Sequence, residues 1–89
     1  MSSINKLFWL PRFERDYNKL PKEDKESVNK ALLKMEKDLH YPSLVVKKIQ
    51  GTPNIWEARA SQSLRITFTW ERNEIYLRTV GHHGILKNP

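Results

Sequence analysis

Apolar and polar residues alternate along three consecutive stretches, residues 55–60, 64–71 and 74–80, each rich in β-branched and aromatic side chains. Polar turn residues punctuate them: Ser61-Gln62-Ser63, then Arg72-Asn73, then the closing Gly81-His82-His83-Gly84. A period of two broken by such turns predicts an antiparallel meander. Upstream the period changes. Phe13, Tyr17 and Leu20 recur at i, i+4 and i+7, and Val28, Ala31, Leu32, Met35 and Leu39 mark a second stripe, which together predict a helical hairpin. Pro11 suits a first helical position, where its missing N–H costs nothing, and Pro21 breaks the chain before the second helix. Glu23, Asp24 and Glu26 fall in the opening turns of that helix, where the macrodipole favours negative charge. Residues 5–10, with Leu7, Phe8 and Trp9 in succession, predict a strand bordering the core, and residues 44–49 predict another. His40-Tyr41-Pro42 and Gly51-Thr52-Pro53-Asn54 are the turns around the latter. The order is β-α-α-β-β-β-β: an α+β domain with the hairpin packed on one face of a largely antiparallel, twisted sheet.

Turn lengths set a register for the meander. A three-residue loop puts Ala60 opposite Leu64, Arg59 opposite Arg65 and Glu57 opposite Thr67. A two-residue loop puts Glu71 opposite Glu74, Trp70 opposite Ile75, Phe68 opposite Leu77 and Thr67 opposite Arg78. Trp56, Ala58, Ala60, Leu64, Ile66, Phe68, Trp70, Ile75 and Leu77 then share the face beneath the helices, and Glu57, Arg59, Arg65, Thr67, Arg78 and Val80 share the other. A slip of one residue would bury the arginines and expose the aromatics, so burial holds this pairing in place.

Like charges directly across a sheet repel, so Arg59 beside Arg65 is more favourable with an anion between them. The planar guanidinium fork matches phosphate in two-pronged fashion, which makes phosphate the expected anion. The alternative is that both guanidiniums turn into water or pair with Glu57 and other acids. His82 and His83 follow at the Arg65 end, and one of them is expected to point into the site. A histidine beside arginines is biased toward its neutral, base-competent form. Such a base could take the proton of a ribose 2′-hydroxyl while the arginines stabilise the charge developing at phosphorus, the equipment of a metal-free ribonuclease. Zinc is poorly served: the two adjacent histidines lack helical ligand spacing, His40 is the third, and there is no cysteine. No metal or cofactor is expected.

Composition adds a partner. The 89 residues make one domain, 1–89, with one modest core, and 38% hydrophobic with 29% charged residues suits a folded globule. Sixteen Lys and Arg against ten Asp and Glu leave a net charge of +6, which favours a polyanion, nucleic acid first. Lys47, Lys48 and Arg78 are the expected further RNA contacts. The apolar stretch 4–10 is interrupted by Lys6, no run is long enough to span a bilayer, and cysteine is absent; a cytoplasmic chain without a membrane partner is expected.

Several of these pieces, in this order, resemble one known family over nearly all of the chain. They are Phe13-Glu14-Arg15-Asp16-Tyr17 with Leu20-Pro21, then Pro42-Ser43-Leu44 with Lys47-Lys48-Ile49-Gln50-Gly51. Ile55-Trp56-Glu57-Ala58-Arg59, Leu64-Arg65-Ile66-Thr67-Phe68 and Gly81-His82-His83-Gly84-Ile85-Leu86 complete the set. Together they resemble the RelE/ParE superfamily of toxins from type II toxin–antitoxin systems. The resemblance implies a RelE-like fold and an mRNA interferase that cuts messages in the ribosomal A site without metal, leaving a 2′,3′-cyclic phosphate and inhibiting translation. It also implies a cognate antitoxin protein as partner, with mRNA and the ribosome (rRNA) as targets and DNA met only through the antitoxin complex. Arg65 matches the arginine that RelE- and YoeB-like toxins use on the scissile phosphate, Arg59 a basic catalytic position of RelE, and His83 the catalytic histidine of YafQ-like toxins. RelE's other basic residue on the strand before Arg65 falls at Glu57, its late tyrosine has no counterpart up to Pro89, and the YafQ-like aromatic falls at Lys87. ParE-like members instead poison DNA gyrase, and a third possibility is an inactive relative whose main partner is an antitoxin.

Overall fold

The computed structural model describes residues 4–89, apart from the side chain of His83. Its elements are β1 (Lys6–Trp9), α1 (Pro11–Asn18), α2 (Lys22–Lys37), a 3-10 turn (Pro42–Leu44), β2 (Lys47–Lys48), β3 (Ile55–Arg59), β4 (Leu64–Glu71), β5 (Glu74–His82) and a second 3-10 turn (His83–Lys87). The sheet order is β1-β5-β4-β3-β2, with β1 parallel to β5 and every other neighbouring pair antiparallel. The fold is α+β, two helices against one face of a five-stranded mixed sheet.

Eight residues of α1 are too few to persist alone, so packing must hold it. Phe13 is fully buried from its underside, and Trp9 packs edge-on against Phe13 and Tyr17, with ring centroids 4.8 and 4.9 Å away. The Tyr17 hydroxyl donates to Asn29 Oδ1 at 2.8 Å and ties α1 to α2. From α2, Val28, Ala31, Leu32 and Met35 enter the core, joined by Leu39 past its end and Leu44 from the 3-10 turn. Opposite them lie Ala58, Leu64, Ile66, Phe68, Ile75, Leu77 and Val80. Each fully buried side chain of Val, Leu, Ile, Phe or Met contributes about 1.5–3 kcal/mol, which makes the helix–sheet interface the main support of the fold.

Three expectations need correction. The strand placed at 44–49 shrinks to Lys47–Lys48, because Leu44 is drawn into the core on a 3-10 turn and Val45 turns the chain with a left-handed φ of 44°. The strand placed at 5–10 is the four-residue β1, an edge strand with Phe8 and Trp9 substantially exposed. The third concerns register. Arg59 does face Arg65, Glu57 faces Thr67, and Phe68 faces Leu77, but the ladder shifts between Thr67 and Phe68. Thr67 therefore pairs with Thr79 rather than Arg78, and Val80 pairs with Ile66. One extra residue in β5 changes the alternation beyond it, so Val80 is buried on the helix side instead of lying on the second face.

Candidate functional site

Across the face turned away from the helices runs a row of paired residues, Lys47, Glu57, Thr67 and Thr79, with Arg59, Arg65 and Gly81 in the row beyond it. The juxtaposed arginines behave differently. Arg65 is buried, and its Nη1 donates to three carbonyls at the β3–β4 turn: Ser61 at 3.1 Å and Gln62 at 3.0 Å in the loop, and Leu64 at 3.3 Å at the start of β4. Its Nε lies 3.7 Å from Glu57 Oε1, and both side chains are about one-tenth exposed. Of the outcomes open to this guanidinium, pairing with Glu57 is the one realised, and the carboxylate offsets part of the Arg59–Arg65 repulsion. Arg59 is exposed and has no ion-pair partner among the described residues. The site thus has one fixed guanidinium and one that is open to a ligand.

A roof covers the middle of this face. The second 3-10 turn folds back so that the Pro89 carbonyl accepts from Thr67 Oγ1 and from Arg78 Nε, each at 3.1 Å, while the Thr67 and Thr79 hydroxyls bond each other. A Cβ on Gly81 would come 2.7 Å from Ile85 Cγ2, so a side chain at residue 81 would force the turn or Ile85 to shift. Thr67 and Thr79 are consequently buried although they point away from the helices.

The two histidines part company at the end of β5. His82 lies on the helix side, its Nε2 3.2 Å from Asp24 Oδ2 and its Nδ1 3.2 Å from Ser63 Oγ. It joins α2 to the β3–β4 loop and faces away from Arg65. His83 opens the roofing turn, and its side chain, expected to be the acid–base group, lies outside the described residues.

The remaining expected contacts are scattered. Lys47 is exposed opposite Glu57 on the second face, whereas Lys48, opposite Trp56, belongs to the helix side. Arg78 stands apart from the Arg59–Arg65 pair. With Arg12, Arg15, Leu10, Pro11, Thr79 and Pro89 it lines a cavity of about 300 Å³. Tyr76, nearer the β1 edge, stacks on Phe8 at 5.0 Å and donates to Glu74 Oε1 at 2.8 Å, a bond to a carboxylate that raises its pKa. Among the described residues no His, Asp or Glu cluster could hold a metal ion.

No protein-family model and no curated protein matches this chain, but solved structures do. A chain of the RelB–RelE antitoxin–toxin complex from Methanococcus jannaschii aligns with a TM-score of 0.75 and 19% identity, over 91% of this chain and 95% of that one. YafQ from E. coli aligns with a TM-score of 0.77 and 10% identity, over 92% and 97%. The YoeB structure from Staphylococcus aureus gives 0.66 and 16%, over 89% and 97%. The fold is RelE-like.

On this RelE-like sheet the arginine pair expected from the turn lengths is in place. Arg12 and Arg15 were not among the expected RNA contacts, because they sit on a helix remote in sequence from Arg78. One signal was available: Arg12 occupies the first turn of α1, where the macrodipole disfavours a cation.

Proposed function

We propose that this chain is the toxin of a toxin–antitoxin pair and cuts messenger RNA on the ribosome without a metal ion. The observation carrying this reading is the direct cross-strand pairing of Arg59 with Arg65 on a RelE-like sheet, with Arg65 held rigid by loop carbonyls. A guanidinium already fixed in place stabilises developing charge with little reorganisation. In the proposed reaction His83 removes the 2′-hydroxyl proton, the 2′-oxygen attacks phosphorus, and the bond to the departing 5′-oxygen breaks as that oxygen takes a proton from water, the protonated His83 returning its own to solvent. The products are a 2′,3′-cyclic phosphate and a 5′-hydroxyl. Arg59 neutralises the non-bridging phosphate oxygens, Arg65 adds its charge from its fixed place beside it, and Lys47 on the same face holds messenger or ribosomal RNA nearby. Arg59 is the exposed member, so the phosphate arrives from its side, clear of the roof over Thr67 and Thr79.

An antitoxin partner is part of the same proposal, and it is supported by the RelB–RelE and DinJ–YafQ complexes among the structurally similar proteins. DNA is met only through that complex. No described helix is long and apolar enough to cross a membrane; a cytoplasmic site of action is part of the same proposal. Primer extension on a message translated in a purified system tests the reading. Cuts within codons should appear with the native protein, vanish in Arg65→Ala and His83→Ala, and persist in His82→Ala, whose ring faces the helices. Intact message together with trapped gyrase–DNA complexes would overturn the reading in favour of a gyrase inhibitor.

A further inference from the structure

The cavity between α1 and β5 is a second concentration of positive charge, apart from Arg59 and Arg65. Two of its arginines come from one exposed face of α1, Arg12 and Arg15 at i and i+3, and the third, Arg78, from the opposing strand. Arg78 is there because of the irregularity in β5. In an unbroken ladder it would face Thr67 in the middle of the sheet; the extra residue gives that place to Thr79. The Pro89 carbonyl then holds Arg78 Nε at 3.1 Å, which steadies the guanidinium and leaves its two terminal nitrogens for a ligand. The acid nearest the cluster is Asp16, 4.0 Å from Arg12 Nε, and it also accepts the Val80 N–H at 3.4 Å. One shared side-chain carboxylate against three guanidiniums leaves the side chains around the cavity net cationic. Pro11 at the first position of α1 adds the positive end of the helix dipole.

We propose that Arg12, Arg15 and Arg78 form a second phosphate-binding site, which grips the backbone of a single RNA strand. The cavity's 300 Å³ is at the small end of ligand sites yet has room for a phosphate with its sugar. Gly81, the partner of Arg65, lies three residues further along β5 than Arg78, a strand distance of about 10 Å. A few nucleotides of single strand bridge that gap, so one RNA chain can engage both sites. The grip reads no sequence, because it holds phosphate alone. The identity of the polyanion rests on the RNA-directed function proposed above; the charge cluster does not.

Anisotropy of a short 5′-labelled oligoribonucleotide, titrated with purified protein over a range of KCl concentrations and without ribosomes, tests the site. The Arg12→Ala/Arg15→Ala double variant and Arg78→Ala should each weaken binding several-fold. Each should also flatten the slope of log affinity against log salt by about 0.7 for every phosphate no longer neutralised. Arg78→Lys, which keeps the charge, should retain the native slope. Arg12 and Arg15 are exposed, so the double variant should melt with the native protein and carries the test even if Arg78→Ala unfolds. Unchanged affinity and slope in that variant would sink the proposal, as would an Arg78→Lys loss as large as that of Arg78→Ala. Inorganic phosphate at matched ionic strength should displace RNA no better than chloride; displacement at low millimolar phosphate would assign the site to the free ion and overturn the RNA grip. A native protein that binds RNA with these slopes but cuts no message defeats the nuclease reading alone. One that cuts while the double variant binds normally defeats the grip alone.

Discussion

Arg65 serves the hairpin and the proposed chemistry at once, so its removal confounds the two. Arg65→Ala leaves three carbonyls at the β3–β4 turn without their donor and strands the Glu57 carboxylate at about one-tenth exposure. Removing one partner of a buried ion pair costs about 3–5 kcal/mol, and the 3.7 Å separation puts this case near 2–3 kcal/mol. Arg59→Ala removes an exposed side chain and should stay within about 0.5 kcal/mol of native stability. Urea denaturation of the two variants beside their cleavage rates is the check: both should lose cleavage, only Arg65→Ala should lose stability. Equal stability losses would show that Arg59 is structural too. The pair itself was legible in the sequence, because a three-residue loop leaves Arg59 nowhere to lie except across from Arg65. What became of Arg65 was not legible. Whether a guanidinium takes a substrate phosphate or its own loop's carbonyls depends on backbone placement within an ångström, and a residue pattern does not encode that directly.

At the scale of elements, alternation found β3, β4 and most of β5, since each buries one face and exposes the other. It failed wherever a segment was governed by something besides burial. Residues 44–49 read as a strand from their composition, but Leu44 gains more in the core than in a ladder, and the left-handed Val45 takes the chain out of extended geometry. The irregularity in β5 left a small trace, since Val80 breaks the series begun by Ile75 and Leu77. Arg78 and Thr79, both polar, hid where the shift fell. The roof over the second face was invisible in the sequence because it depends on how closely Ile85 approaches Gly81. Gly81→Ala should therefore push Ile85 away, loosen residues 83–89 and cost about 1–3 kcal/mol by overpacking. Hydrogen exchange should quicken across the roofing turn, and Gly81→Ala combined with Ile85→Ala should recover much of the loss. Native exchange rates in the single variant would mean that the turn is seated by other residues.

For the molecule as a whole, sheet order and synthesis order disagree. β1, made first, pairs only with β5, made last, and α1 packs against that same strand. Pairings that join distant parts of a chain form late and slow folding, because loop-closure entropy must be overcome before they contribute. A chain ended after Asn73 should lack the native far-UV signal and melt without a cooperative transition; a cooperative melt would show that the first four strands suffice. The interior position of β5 thus has a consequence in time. While this polypeptide is still being made, its opening strand and first helix have nothing to close upon, and Arg65 has no Gly81 across from it. The row of Arg59, Arg65 and Gly81 is therefore assembled only once β5 itself has been made.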